Sequence, residues 1–460
     1  MFLKKYDPDY GRRALLEKTL KGAAGAGVLA PLWPLISQAG TEAAGKAYPD
    51  ELRSIEQYTK GAISPGDTVT ADNVEHVKDL LDPIAYDQVK RLGRRIHISE
   101  PTQDVSKFFP YDYLDATLRN QGKAVFDEVG NVRTQDGKAW IGGSPFPDPK
   151  NAKEAIANLT LSWGRHDWSL SAIRDHDIGP DGEIAYQYDF YWAEQQVSSR
   201  VDGTYFRGRD DILRYNTTFF TRPDDTSGTA FLNTWSYDQR QFPDLIGYLP
   251  AFRRVRQYPT NQRFEPLVPG MQVYLSDAWA AGDPMLTWGN YKIVERKPML
   301  GAIGPDNFMG GQPNWERPVH GGPKNQTFHD VWMEMIPECI VMECEPVGYA
   351  RSPYSKRRIW VDVRNQLFVA SVTFDRKGDM WKSFEPQFAQ FSNQHETFLH
   401  GKDPAWSWTS VQIFDIQADR STRYYVGKEV EGGYKTSFEA DPDEVYNQYM
   451  TQQAIQRLGS

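Results

Sequence analysis

Several things are scarce in this chain, and each scarcity excludes a class of protein. Only two cysteines, Cys339 and Cys344, occur in 460 residues, so it is not a small disulfide-stapled scaffold. Both lie in Ile336-Pro-Glu-Cys-Ile-Val-Met-Glu-Cys-Glu345, which reads as a strand. Five extended steps separate their α-carbons by roughly 16 Å, beyond the ~7 Å a disulfide tolerates, so two separate thiols are expected. Their spacing matches neither a zinc site nor a redox pair. Positive charge is also short: 52 Lys and Arg against 61 Asp and Glu leave a net charge of −9. Duplex nucleic acid and a bare anionic membrane both require a basic face, so neither is the expected partner. Phosphate-loop and dinucleotide glycine patterns are missing, as is a Gly-x-Ser-x-Gly elbow. No catalytic residue is assigned, and no metal or cofactor is expected.

Aromatic residues, by contrast, are abundant: 14 Trp, 24 Tyr and 23 Phe, too many for a disordered chain. The 30 prolines and 37 glycines follow no period, which excludes collagen-like and low-complexity classes. Residues 1–39 read as an address. Arg12-Arg13-Ala-Leu-Leu16 precedes a weakly apolar run, residues 22–36. That run falls short of the roughly 20 residues a membrane-spanning helix needs, and Ser37-Gln38-Ala39 follows with small residues. The order resembles a twin-arginine export signal cut near Ala39, which places the mature chain in the periplasm. A buried Ala/Gly-rich helix is the alternative.

The mature chain divides into residues 40–150, with helices and an extended Pro/Gly-rich segment, and residues 151–460, a β domain. Asp72-x-x-Glu75 predicts a capping box before Val74, Val77, Leu80 and Leu81. Asp82-Pro83 restarts a helix that Gly93 ends. A helical patch follows at Ala152–Leu159. The period then becomes two. Tyr186, Tyr188, Phe190 and Trp192 share one strand face; Leu213, Tyr215, Thr217 and Phe219 repeat it, as do Phe231, Asn233, Trp235 and Tyr237. Later strands are expected at 331–336, 358–363, 367–374, 407–416 and 422–426, with turns at Asp362–Asn365 and Asp375–Gly378. Short turns between sequential strands imply an antiparallel sheet. The aperiodic stretch 298–326 is expected to be a lid, a binding loop or an insertion. Asp441-Pro442 opens a final helix predicted to run through Leu458 and close at Gly459.

Asp175-His176-Asp177, beside Gly179-Pro-Asp-Gly182, reads more readily as a polar turn than as a metal site. His166-Asp167, His329-Asp330 and His395-Glu396 are adjacent pairs, which point to opposite faces of a strand. The aromatic faces fit either an ordinary core or a cavity for an apolar ligand, and Thr217 and Asn233 supply the few polar groups such a cavity carries. Tyr186, Tyr188, Phe190, Trp192, Phe219, Trp235 and Tyr237 are the candidate lining. Arg253, Arg254 and Arg256 are either a solvated face or a clamp for an anionic head group near the cavity mouth, with Arg253 pointing away from the other two.

Gly142-Gly-Ser-Pro-Phe-Pro147, Leu249-Pro-Ala-Phe-Arg-Arg-Val-Arg256, Tyr354-Ser-Lys-Arg-Arg-Ile-Trp-Val-Asp362 and Phe374-Asp-Arg-Lys-Gly-Asp-Met-Trp-Lys382 occur in this order. Together they resemble a family of exported bacterial proteins of unknown function often labelled outer-membrane lipoprotein-sorting. The resemblance implies a mainly β (α+β) fold similar to the periplasmic Lol lipoprotein carriers, a strongly curved antiparallel half-barrel whose helices plug its concave face. It also implies association with an outer-membrane channel and an inner-membrane exporter of hydrophobic compounds. The expected function is a periplasmic carrier for a lipid or other hydrophobic molecule. The alternatives are a hydrolase-type enzyme assembled from distant segments, or a structural subunit docking on a channel.

Overall fold

The computed structural model describes residues 50–102, 104–162, 164–277 and 283–459. Arg12, Arg13 and the cleavage region near Ala39 lie outside the described residues. The chain builds one sheet of 15 strands. Its strands are β1 (Thr68–Val69), β2 (Ile96–Ile98), β3 (Trp168–Ile178), β4 (Ile184–Gln196) and β5 (Ile212–Arg222), followed by β6 (Ala230–Ser236), β7 (Asp244–Leu249) and β8 (Arg254–Tyr258). After a long connection come β9 (Gly289–Gly301), β10 (Trp332–Glu345), β11 (Tyr354–Asp362), β12 (Phe368–Asp375), β13 (Met380–Gln390), β14 (Trp406–Asp415) and β15 (Arg420–Gly427).

Two antiparallel meanders, β3 to β8 and β9 to β15, meet because β15 pairs with β3, Ser421 opposite Ile178 and Gly427 opposite Ala172. The spatial order is therefore β1-β2-β10-β11-β12-β13-β14-β15-β3-β4-β5-β6-β7-β8, with β9 also on β10. Only the β2–β10 pairing is parallel among the strands of this sheet. The sheet is curved, mainly antiparallel and not closed into a barrel. The segment before residue 150 feeds it too, through β1 and β2. Among the described residues, no helix is long and apolar enough to cross a membrane.

Among the described residues, five α-helices of seven residues or more pack around the sheet. α1 (Pro83–Leu92) starts where the Asp82 carboxylate accepts from the amides of Ile84 and Ala85, and ends at Gly93 with φ 70°. α2 (Tyr111–Asn120) begins after Pro110. α3 (Ala152–Leu161) is capped by Asn151, which accepts from Glu154 N. α4 (Pro442–Tyr449) is capped by Asp441, and α5 (Gln452–Leu458) by Thr451. The single C-terminal helix expected from the sequence is thus broken at Met450, because Thr451 captures the Ala454 amide and restarts the chain. The Asp72 capping box does not form either. Asn73 holds the N-cap position without a side-chain cap, and Val74–Leu80 winds as a 3₁₀ helix.

One large core links the sheet with α2, α3 and the β8–β9 connection. A second lies on the opposite face of the first meander, beneath α4 and α5. A third joins the N-terminal segment to β9 and β10. The 298–326 stretch extends β9 and is then pinned by buried Phe308 and Trp315, whose rings meet at 5.3 Å.

Candidate functional site

Alternation along β4 turns Tyr188, Phe190 and Trp192 toward one face and Tyr191 and Ala193 toward the other. Phe231 and Trp235 of β6 lie on the same face as Tyr188, and Tyr424 of β15 meets Phe190 at 6.1 Å. This is the aromatic floor of the sheet. Phe219 is not part of it. It packs on the opposite face, 5.3 Å from Tyr434, while Phe220 takes the floor position 5.4 Å from Phe190. The cause is a register shift beside Leu213, which lies on the floor side while Tyr215, two residues on, lies on the other. Tyr186 is at the rim, 42% exposed and stacked on Tyr188 at 6.0 Å. The Tyr237 hydroxyl donates to Val132 O and accepts from Trp140 N, which ties it to the N-terminal segment.

A strap, Phe264–Asp277, crosses this floor without helix or strand after Phe264. With no ladder of its own, it is held by side chains of successive strands. From β4, the Tyr188 hydroxyl donates to Pro269 O at 2.9 Å. From β15, Thr422 Oγ1 accepts from Gln272 N at 2.7 Å and donates to the Asp177 carboxylate of β3. From β13, Lys382 Nζ donates to Gln272 O at 2.9 Å and stands 3.2 Å over the Tyr274 ring. From β11, Arg357 and Tyr354 donate to the Asp277 carboxylate at 2.8 and 2.9 Å. Beneath the strap a void of about 30 Å³ remains, lined by floor residues such as Phe190, Trp192 and Phe220 and by strap residues such as Met271, Val273 and Leu275.

Asp175 and Asp177 belong to strand β3, not to a turn. Residues two apart share a face, and both carboxyl groups are buried on the floor side, opposite Tyr188 and Tyr186 of β4. Burial, then the charge of Asp177, raises Asp175 well above the carboxylate range, and burial pushes Asp177 up to about 7. Burial also lowers Lys382 to about 8. His176 lies on the opposite face beside Arg423 and Arg174, and burial holds it near 4.

Because neighbouring strands are antiparallel, the strap contacts fall at one end of the sheet, where β11, β13 and β15 begin. The other end carries a cleft of about 600 Å³. Its wall includes Ile98, Phe108, Trp332 and Trp406, and Lys107, Glu100 and Asp306 stand at its exposed rim. Trp406 lies on the strap side of β14, stacked on Phe388 at 5.1 Å. Behind it, His166 Nε2 bonds Trp406 O at 2.8 Å and its ring meets His400 edge-on at 4.8 Å. His400 bonds Asp112 through Nε2 and Phe438 O through Nδ1, at 2.6 and 3.1 Å. The Asp112 contact raises the His400 pKa against the effect of burial. With both ring nitrogens engaged, His400 holds the cleft wall in place and has no nitrogen left to act as a base.

The arginine cluster stands apart. Arg253 occupies a left-handed turn with φ 49°, while Arg254 and Arg256 project from β8, the terminal strand of the sheet, and are exposed. Arg256 lies 4.0 Å over Phe252. Cys339 and Cys344 are separate buried thiols, as their spacing requires. Sequence reasoning missed Tyr354, Arg357 and Lys382 as strap-holding groups, although all three stand in motifs it singled out. The signal was the alternation in Lys356-Arg357-Arg358. Lys356 and Arg358 turn to Glu343, at 2.9 and 2.7 Å, and Arg357 turns the other way.

Among curated proteins none matches the chain. Three solved structures resemble it over much of their length. A domain described as an outer membrane lipoprotein-sorting protein, from Vibrio parahaemolyticus, is 16% identical with a TM-score of 0.40, covering 66% of this chain and 97% of that one. A protein from Desulfovibrio piger is 17% identical with a TM-score of 0.39, covering 59% and 87%. A LolA superfamily protein from Nitrosomonas europaea is 14% identical with a TM-score of 0.35, covering 65% and 98%. The family profile described as "Protein of unknown function (DUF1329)" matches residues 68–456, and the chain belongs to that family.

Proposed function

We propose that this protein is a periplasmic carrier that binds a hydrophobic molecule and acts by burial rather than bond chemistry. The observation that supports it is the cleft of about 600 Å³, whose lining includes half-buried Trp332 together with Phe108 and Trp406 of the main core. That volume lies within the roughly 300–1,000 Å³ of small-molecule sites. Burying apolar area contributes about 25 cal/mol per Å², enough to hold a lipid chain without a covalent link. The aromatic floor is the second apolar surface a ligand would reach, once the strap moves. Export through Arg12-Arg13 completes the proposal: Arg12→Lys with Arg13→Lys should leave precursor in the cytoplasm.

Native mass spectrometry and solvent extraction of the protein purified from periplasm test the carrier reading. The expected result is a co-purified hydrophobic molecule whose occupancy drops with Trp406→Ser. An empty protein that acquires no lipid from mixed vesicles would sink the carrier reading. Arg254 and Arg256 are proposed as a contact for an anionic head group or a partner. Unchanged affinity for anionic lipid and for any channel partner in Arg254→Lys with Arg256→Lys would remove that role.

A further inference from the structure

The strap lays a carboxylate and a row of apolar side chains across the floor in the order head and chain. At its end, the Asp277 carboxylate accepts from Arg357 Nη2 at 2.8 Å, from the Tyr354 hydroxyl at 2.9 Å and from its own Tyr274 amide at 3.1 Å. Arg357 is 1% exposed, lies 4.6 Å over Trp288 and also donates to Ser276 O. A buried guanidinium beside a phenol hydroxyl is a built carboxylate seat. Such a cation is costly without an anion, so some carboxylate must occupy that seat. Upstream, Met271, Val273 and Leu275 lie against Phe190, Trp192, Phe220 and Tyr424. They cover the floor as an alkyl chain would. The backbone between is held by Thr422 and Lys382 rather than by a strand ladder, so lifting it breaks few bonds.

We infer that the strap occupies a ligand seat and that the ligand is a long-chain carboxylate. Its carboxylate replaces Asp277 between Arg357 and Tyr354, and its chain replaces Met271, Val273 and Leu275 on the floor. This assignment rests on the carrier reading and adds the ligand class and the place of its head group.

The test uses the mature full-length protein titrated with oleate and with oleyl alcohol. Asp277→Asn leaves the seat without its anion, so oleate should bind about tenfold tighter than to wild type, while oleyl alcohol gains nothing. Oleate should also raise the melting temperature of the variant more than that of wild type. Hydrogen exchange at the Gln272 and Tyr274 amides should speed up in the oleate complex as the strap leaves. Should Asp277→Asn not fold, Met271→Ala with Leu275→Ala keeps the ion pair and weakens only the apolar grip, and oleate should again bind tighter. The assignment is overturned if oleate binds the variants no better than wild type, if oleyl alcohol gains equally, or if the strap amides stay protected in the complex. Binding of oleate and alcohol alike with the strap in place would leave the carrier reading standing and remove the seat. A protein that binds neither would remove both.

Discussion

Asp175 and Asp177 place two buried carboxyl groups on the floor. Their side chains share a buried face, and Asp177 anchors Thr422, which in turn holds the strap at Gln272. Both carboxyl groups are raised in the fold, Asp177 to about 7. Above the ordinary carboxylate value, about 4, the unfolded chain has therefore lost protons that the folded protein still holds. The contribution of these two groups to stability therefore falls as pH rises above that value, Asp177's part being complete near 7, while His166, His176 and His320, which burial lowers to about 4, contribute in the opposite sense. Urea unfolding at a series of pH values should show this decline in the stability of wild type relative to Asp177→Asn. A difference that does not change with pH between those limits would contradict the burial argument. Gly143 illustrates a motif explained by packing alone. Its φ is 74°, and a Cβ there would stand 2.3 Å from Thr117 N of α2. The Ser144 amide then donates to Thr117 Oγ1, and Arg165 reaches Ser144 and Tyr113. The Gly-Gly-Ser motif is legible in the sequence, but its partner α2 is not, because the contact joins segments distant along the chain.

At the scale of elements, the caps decide where the C-terminal helices stop and start. Asp441 and Thr451 each satisfy amides that would otherwise be bare at a helix N-terminus. Thr451→Ala should cost about 1 kcal/mol in chemical denaturation. It should also loosen α5, whose Ile455 is fully buried against the first meander. Loss of that much stability without loss of far-ultraviolet helix signal would indicate that α5 is held by packing alone. The helix end at Met450 was not legible, since Tyr446, Met450, Ala454 and Leu458 continue a helical spacing across it. Strand faces show the same limit. Alternation in β4 and β6 places their aromatics correctly, whereas in β5 one register shift sends Phe219 to the other side. A single extra residue reverses every later side chain in a strand, and nothing local in the sequence marks it.

For the whole molecule, the decisive contact is the seam between β15 and β3, which joins the last of the long strands to the first of them. Neither meander can keep a paired edge there without the other, and the strap crosses the seam from Tyr188 to Tyr354. Thermal unfolding should accordingly be one cooperative transition, with near- and far-ultraviolet circular dichroism and calorimetry coincident. Two separated transitions would mean that the meanders fold independently. The sequence by itself determined the class of the molecule: aromatic alternation and short turns specify antiparallel strands, the Asp82-Pro83 and Asp441-Pro442 signals start helices, and five extended steps keep Cys339 from Cys344. Those features are local, since propensity, capping and reach act over a few residues. Only the tertiary structure decided that Asp277 meets Arg357, that Thr422 links Asp177 to the strap, and that Phe108 and Trp406 face one cleft. Each of these pairs draws on segments far apart in sequence, and a side chain's partner across such a distance is set by how the sheet curves and how its two meanders join at β15 and β3.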